Sequence, residues 1–341
     1  MRPRVEAGGV AWRGDARSVM AANLWLRCAS RVLVRVASFR ATAFHELERR
    51  AKHIPWREFV GAGVVPDFRV TTHKSRLYHS DAIAQRLKTA SGGATSDAAS
   101  QVFIVRVVRD EFTISADTSG ELLHQRGYRL ETGKAPLRET LAAALLEAAE
   151  WTGDRALVDP FCGSGTIPIE AALIARRIAP GLRRDFALSR WPSMDASIWE
   201  ALLDDANERA LASSPVPIRG SDRDAGAIRA AKANAARAGV ETDVVFEQRS
   251  VSGASAPAPS GLIATNPPYG VRVGEAQALR DLYARFGQVM RREFPRWDVA
   301  MFASRRTLAA QTQLDLEPMF VTSNGGIRVS ALSSAAGRLL H

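Results

Sequence analysis

Three short runs of residues have the types and spacing from which chemistry can be built. In Asp159-Pro-Phe-Cys-Gly-Ser-Gly-Thr166 an acid precedes Gly163 and Gly165, which permit a tight turn that brings backbone N–H groups near a ligand. The run departs from the Gly-x-Gly-x-x-Gly of dinucleotide-binding turns and lacks the Gly-Lys-Ser/Thr of a phosphate loop, which argues against NAD and ATP. A turn without a phosphate-reading lysine suits a ligand that combines a sugar, a carboxylate and an ammonium. S-adenosylmethionine (SAM) is such a ligand, with Asp159, Phe161, Gly163 and Gly165 as candidate contacts. Taken alone, the run is equally a glycine turn that joins strand to helix and holds nothing.

The second run, Arg219-Gly-Ser-Asp222, places an acid at the end of the next expected strand, where a carboxylate can accept both ribose hydroxyls. The competing role for Asp222 is a helix N-cap, which Asp224 can fill instead. The third run is Asn266-Pro267-Pro268-Tyr269 after an apolar strand. Its prolines stiffen the backbone and remove donors, its carbonyls and the Asn266 amide supply acceptors for an amino group, and the Tyr269 ring offers a stacking face for a base that bears it. A lone proline pair is more often simply a rigid turn.

What is missing narrows the mechanism. The six histidines lie at 45, 53, 73, 79, 124 and 341, so residues 125–340 contain none, and Cys162 is the only cysteine there. A Ser-His-Asp triad and a histidine zinc site are excluded from that segment, and no metal is expected. Methyl transfer from a sulfonium needs no histidine base, because the electrophile is already activated and the enzyme supplies alignment and acceptors.

Around these runs, the chain of 341 residues is 46% hydrophobic and 24% charged, enough for two packed units. Cys28 and Cys162 form no framework of the secreted type, and no apolar run reaches a membrane span, so a cytoplasmic protein with no membrane partner is expected. The net charge of +10 is unevenly placed. Residues 1–139 hold 23 Lys+Arg against 14 Asp+Glu, and residues 140–341 hold 23 against 22. A basic module beside a neutral one suggests that the first holds a polyanion while the second does chemistry on it, and a solubility bias is the bland alternative.

Residues 1–22, Gly- and Arg-rich without apolar period, read as a disordered leader. Strands are expected around Leu24–Leu26 and Val32–Val36 and a helix over Ala41–Lys52. Next come a strand near Phe68–Thr72, a helix from an Asp81 cap to Ala90, and strands at Val102–Val108 and Phe112–Ala116. From Pro136 the pattern becomes helix, strand, glycine turn, helix, as in a doubly wound α/β domain. Helices are expected over Leu137–Trp151, Ile167–Arg177 and Ala225–Ala238, with strands at Ala156–Val158, Ile218–Gly220, Val244–Phe246 and Leu262–Ala264.

In order along the chain, these runs resemble the class I SAM-dependent methyltransferases of the THUMP-containing RNA guanine-N2 group, closest to the RlmL-like large-subunit rRNA enzymes and related to the TrmN-like tRNA enzymes. The resemblance also rests on His124-Gln-Arg-Gly-Tyr-Arg129, Ala135-Pro-Leu-Arg-Glu-Thr-Leu141, Ile167-Pro-Ile-Glu-Ala-Ala172, Ala179-Pro-Gly181, Gly270 after the Tyr269 run, and Asn324-Gly-Gly326. It implies a ferredoxin-like segment over 23–60, a THUMP RNA-binding module over 61–130 and a Rossmann-like methyltransferase domain over 131–341. It also implies RNA as partner, a target base extruded toward Asn266 and Tyr269, and Phe186–Trp191 as a possible wall of that pocket, with core packing the commoner role for Phe186. Where many such enzymes place an acid for the adenine amine, this chain reads Glu247-Gln-Arg-Ser250, which leaves Ser250 as the adenine contact. Lys74, Arg76, Arg126 and Arg129 are candidate RNA contacts. The competing functions are a tRNA guanine-N2 methyltransferase, an enzyme acting on adenine N6 in nucleic acid or on a glutamine amide, and a catalytically silent RNA-binding protein.

Overall fold

The computed structural model describes residues 3–6, 8–92, 99–130, 137–269 and 276–334. Ala135, Pro136 and Gly270 of the runs quoted above lie outside the described residues. The chain forms two compact units, Met1–Leu123 with Arg183–Asp205, and His124–Leu182 with Ala206–His341. Among the described residues no helix is long and apolar enough to cross a membrane.

Among the described residues of the first unit, secondary structure is present already within the expected leader. Strands β1 (Arg4–Glu6) and β2 (Gly9–Ala11) pair antiparallel, and helix α1 (Ala16–Trp25) starts at Asp15, whose carboxylate accepts the Ser18 N–H at 2.8 Å. The helix contains Leu24, so the expected strand there is absent. Its place is fixed from afar, because buried Asn23 donates to the Thr118 hydroxyl at 2.7 Å and accepts from Ser119 at 2.8 Å. The elements β3 (Leu33–Arg40), α2 (Phe44–Ala51), β4 (Val65–His73), α3 (Ser80–Ala90), β5 (Ser100–Val108) and β6 (Glu111–Asp117) follow. Helix α3 is capped at His79 rather than Asp81, which sits in its first turn. The sheet order β3-β6-β5-β4 takes one strand from the expected ferredoxin-like segment and three from the expected THUMP segment. The two therefore share one core, in which Leu47, Ile83 and Leu87 pack with Phe103, Val105, Phe112 and Ile114.

Residues 183–205 also belong to this unit. The Trp191 indole donates to Gln101 at 2.7 Å and stacks edge-on against Phe59, and buried Phe186 meets Trp199. Phe186 and Trp191 thus pack within the first unit, the commoner role expected for Phe186.

The second unit supplies α4 (Glu139–Ala148), β7 (Ala156–Asp159) and α5 (Thr166–Ala175), and the chain returns to it within α6 (Ala196–Arg209). Then come β8 (Ile218–Asp222), α7 (Ala225–Ala238), β9 (Val244–Gln248), β10 (Gly261–Thr265), α8 (Ala276–Glu293), β11 (Trp297–Ala303), α9 (Arg306–Ala310), β12 (Glu317–Asn324) and β13 (Ile327–Ser333). The seven-stranded sheet runs β12-β13-β11-β10-β7-β8-β9, parallel from β11 to β9, with β13 antiparallel to β11 and β12 antiparallel to β13. Parallel strands must be buried on both faces, which explains the unbroken apolar Leu262-Ile-Ala264 and Val299–Ala303. The chain winds outward from β7 in both directions, so the crevice at the carboxyl ends of β7 and β10 is the topological switch point where such sheets bind ligands.

The run 124–129 is built into this unit. Arg126 and Glu170 are buried and paired at 3.4 Å, and Tyr128 donates to the same carboxylate at 3.0 Å. Arg129 donates to Glu139 at 2.8 Å and to the Leu137 carbonyl at 2.6 Å. Burial pushes the Glu139 carboxyl up to about 7, against the pull of Arg129. Neither guanidinium faces solvent for a phosphate, so Arg126 and Arg129 are corrected from RNA contacts to internal braces. Replacing Glu170 with Ala is expected to cost about 3 to 5 kcal/mol, the usual loss when one partner of a buried ion pair is removed. Thermal unfolding checks this: a fall in Tm on the order of 10 °C is expected, and a change below ~0.5 kcal/mol contradicts the brace.

Candidate active site

The carboxyl ends of β7, β8 and β10 bring the three chemical runs into one cleft of about 970 Å³, lined among others by Asp159, Phe161, Gly163, Asp222, Ser250, Asn266, Pro267, Pro268 and Tyr269. Gly165 closes the turn onto α5 with φ +86°, and a Cβ there would lie 3.0 Å from both Ala231 and Phe246, so a larger residue is strained in its backbone and crowded by its neighbours. The turn is held from outside by buried Asn234, which donates to the Ser164 carbonyl at 3.0 Å.

Asp159 is almost fully buried, and one oxygen, Oδ1, accepts both the Phe161 N–H at 3.0 Å and the Thr265 hydroxyl at 2.6 Å. Burial, helped by the nearby Asp222 charge, raises its pKa to about 7 in spite of those two donors. The folded chain thus keeps a proton that an unfolded carboxyl releases near 3.8, so the ligand-free fold loses stability from Asp159 as pH rises from that value toward 7. A buried carboxyl that gains charge only at a cost suits a cationic ligand group beside it. The sequence reading missed Thr265, whose signal was its place directly before Asn266.

Asp222 is half-buried. Its Oδ2 accepts the Gly163 N–H at 3.1 Å and its Oδ1 the Asp224 N–H at 3.0 Å. Asp224, not Asp222, caps α7, accepting the Gly226 N–H at 2.6 Å. Each Asp222 oxygen keeps a lone pair for a diol. Ser250 is exposed at the cleft and precedes a short helical turn over Val251–Gly253. On the opposite wall, the Tyr269 hydroxyl donates to Asn266 Oδ1 and the Tyr283 hydroxyl to the Pro268 carbonyl at 3.4 Å. Leu279, Leu282 and Arg285, at helical spacing on α8, also line the cleft and were not singled out from sequence, although that spacing is readable.

Of the four basic candidates, Lys74 and Arg76 lie in the first unit, exposed on the turn after β4. Lys74 has φ +49°, and the Arg76 N–H is anchored on Asp110 at 2.7 Å. Arg126 and Arg129 belong to the second unit, where Arg126 is buried and Arg129 half-buried against Glu139.

Residues 126–329 match the UPF0020 family, an RMKL-like methyltransferase domain, and residues 1–33 match the RlmL ferredoxin-like domain. The Bacillus subtilis (strain 168) protein named "Putative RNA methyltransferase YpsC" is 39% identical, covering 88% of this chain and 81% of its own length. The "Ribosomal RNA large subunit methyltransferase K/L" of Syntrophotalea carbinolica is 36% identical over 95% of this chain and 49% of its own, so this chain spans about half the length of that relative. Among solved structures, SMU.472, "a putative methyltransferase complexed with SAH", has a TM-score of 0.88 at 28% identity, covering 97% of this chain and 90% of that chain. A cleft at the switch point of a Rossmann-like sheet, a family match over more than half the residues and a relative alike along most of both chains lead to one assignment: the chain belongs to the UPF0020 family of RMKL-like methyltransferases.

Proposed function

We propose that this chain transfers a methyl group from SAM to the exocyclic N2 of a guanine in large-subunit ribosomal RNA. The observation that carries the reading is the shared cleft, in which the Asn266-Pro267-Pro268-Tyr269 acceptors stand beside the Asp159 turn. The residues present fit SAM: a buried carboxyl raised to about 7 for an ammonium, a half-buried Asp222 for the ribose diol, and Ser250 with its neighbouring backbone for adenine. SAM, when bound, supplies an already electrophilic methyl group. On the other side, Tyr269 stacks the base, while Asn266 Oδ1 and the Pro267 carbonyl accept the N–H groups of N2 and aim its lone pair at that methyl. As the new C–N bond forms the C–S bond breaks, and the excess proton on N2 passes to water, consistent with the absence of histidine from residues 125–340.

The rRNA assignment is supported by the K/L relative and by the resemblance that the runs 124–129 and 324–326 carry, and guanine N2 is what that resemblance implies, since the acceptor grip serves any planar amine. The first unit is read as the THUMP-like RNA-binding module, with Lys74 and Arg76 at its surface. Because residues 183–205 complete that unit, point substitution tests it better than truncation. Exchanging Lys74 and Arg76 together for Ala is expected to lower the log–log salt slope of RNA binding by about 0.7 to 0.9 per lost phosphate contact, measured by fluorescence titration over a salt series. An unchanged slope removes both from the interface.

Binding and chemistry separate by substitution. Asp222→Ala is expected to weaken SAM binding by about 1.5 to 3 kcal/mol in calorimetry of a folded variant. Asn266→Ala keeps most SAM affinity and loses turnover by about 10² or more. Unchanged affinity in the first or near wild-type turnover in the second contradicts the role assigned. The substrate is tested by incubating the protein with labelled SAM and separate pools of unmodified rRNA and tRNA, then identifying the methylated nucleoside by mass spectrometry. N2-methylguanosine in rRNA is expected. The same nucleoside in tRNA moves the assignment to that RNA, and N6-methyladenosine alone overturns the base assignment.

A further inference from the structure

The hydroxyl of Tyr269 donates to Asn266 Oδ1, the same oxygen that an entering amine needs. A second side-chain amide stands close to that hydroxyl. Asn324 ends β12, and the turn after it, Gly325-Gly326, has φ values of +56° and +81°, the pair of left-handed residues that a two-residue hairpin of this hand requires. The hairpin pairs Asn324 with Ile327, which lines the same cleft as Tyr269. Asn324 is 3% exposed, its amide opposes the upward push that burial gives the Tyr269 hydroxyl, as an N–H donor to that oxygen does, and its Oδ1 is a buried acceptor with no hydrogen-bond partner among the described residues. Such an orphan is costly unless another state of the site satisfies it.

We propose that Asn324 is a positioning residue of the transfer site, the alternative acceptor that takes the Tyr269 hydroxyl from Asn266 when the target amine enters. The proposal rests on the reading that Asn266 grips an exocyclic amine, and it holds for any planar amine. A hydroxyl has one proton to donate, so the two amide oxygens compete for it. With the cleft empty, Tyr269 caps Asn266 and the Asn324 oxygen waits unsatisfied. With the amine seated, the Asn324 amide turns its oxygen to the hydroxyl. The Asn266 oxygen is then released for N2–H, and the Tyr269 ring stays tethered for stacking.

The test is a double-mutant cycle on the full chain, with Asn324→Ala, Asn324→Asp, Tyr269→Phe and the Asn324→Ala/Tyr269→Phe pair, each checked for thermal unfolding and SAM affinity. Turnover is measured on whichever pool the wild type methylates among rRNA, tRNA and DNA. Asn324→Ala is expected to lower kcat about tenfold or more, with KM for RNA and SAM affinity within about threefold, and Asn324→Asp, which keeps an acceptor, to recover most of the loss. In the Tyr269→Phe background, adding Asn324→Ala changes kcat by less than about twofold, because no hydroxyl remains to hand over. An equal loss in both backgrounds, no loss in either, or an Asp variant as poor as Ala overturns the proposal. If Asn324→Ala does not fold, Asn324→Ser takes its place under the same criteria. Methylation of tRNA or DNA in place of rRNA overturns the substrate reading alone, and methylation of none of the three overturns both.

Discussion

The Asp159 carboxyl has almost no water to stabilise its charge, and it spends one oxygen on two donors that come from different parts of the site. The Phe161 N–H belongs to the glycine turn, and the Thr265 hydroxyl belongs to the last residue of β10 before Asn266. A single buried acceptor therefore sets the glycine turn and the Asn266-Pro267-Pro268-Tyr269 run at a fixed distance. In the proposed transfer, whose rate depends on aligning a nitrogen lone pair with a methyl group, that distance is the quantity the fold has to control. The strand order supplies the rest, since β7 and β10 are neighbours only because the sheet winds in both directions from β7.

Behind the turn a second buried layer prevents it from relaxing. Asn234 holds the Ser164 carbonyl, Arg237 holds Asn234 and the Tyr128 carbonyl, and Tyr128 shares Glu170 with Arg126. Each member of this chain is buried or half-buried, so none can be lost without leaving another polar group unsatisfied in a low-dielectric interior. Within the run 124–129, Arg126 and Tyr128 act through this support.

Contiguous runs were legible because their chemistry is local: Asp159 to Thr166, Arg219 to Asp222 and Asn266 to Tyr269 can be read without knowing the fold, and the cleft gathers all three. Partnership across the chain was not legible. Arg126 and Arg129 read as surface cations because their acids, Glu170 and Glu139, are identified only by packing. Residues 1–22 read as a leader because the start of α1 is weakly apolar, and the helix's anchor, Asn23, bonds to residues almost a hundred positions away. Phe186–Trp191 sits in sequence between elements of the second unit yet packs in the first, an excursion no local pattern announces. Among the described residues strand β12 pairs with β13 alone, at the sheet edge, so its half-exposed faces carry little periodic signal.

If the buried carboxyl of Asp159 organises the site by receiving the ammonium of the cofactor, binding must ionise it. The pKa near 7 sets the window, and below it the free protein has to release a proton before the ion pair can form. Isothermal calorimetry of SAM binding from pH 5.5 to 7.5, below the ordinary range of the ligand's own amine, measures this directly. Affinity is expected to rise by about tenfold or more across the range, with proton release seen as a dependence of the heat on buffer, and Asp159→Asn is expected to bind weakly with no such rise. A wild-type affinity that stays flat with pH, or an Asn variant that keeps the rise, contradicts the central place given to Asp159.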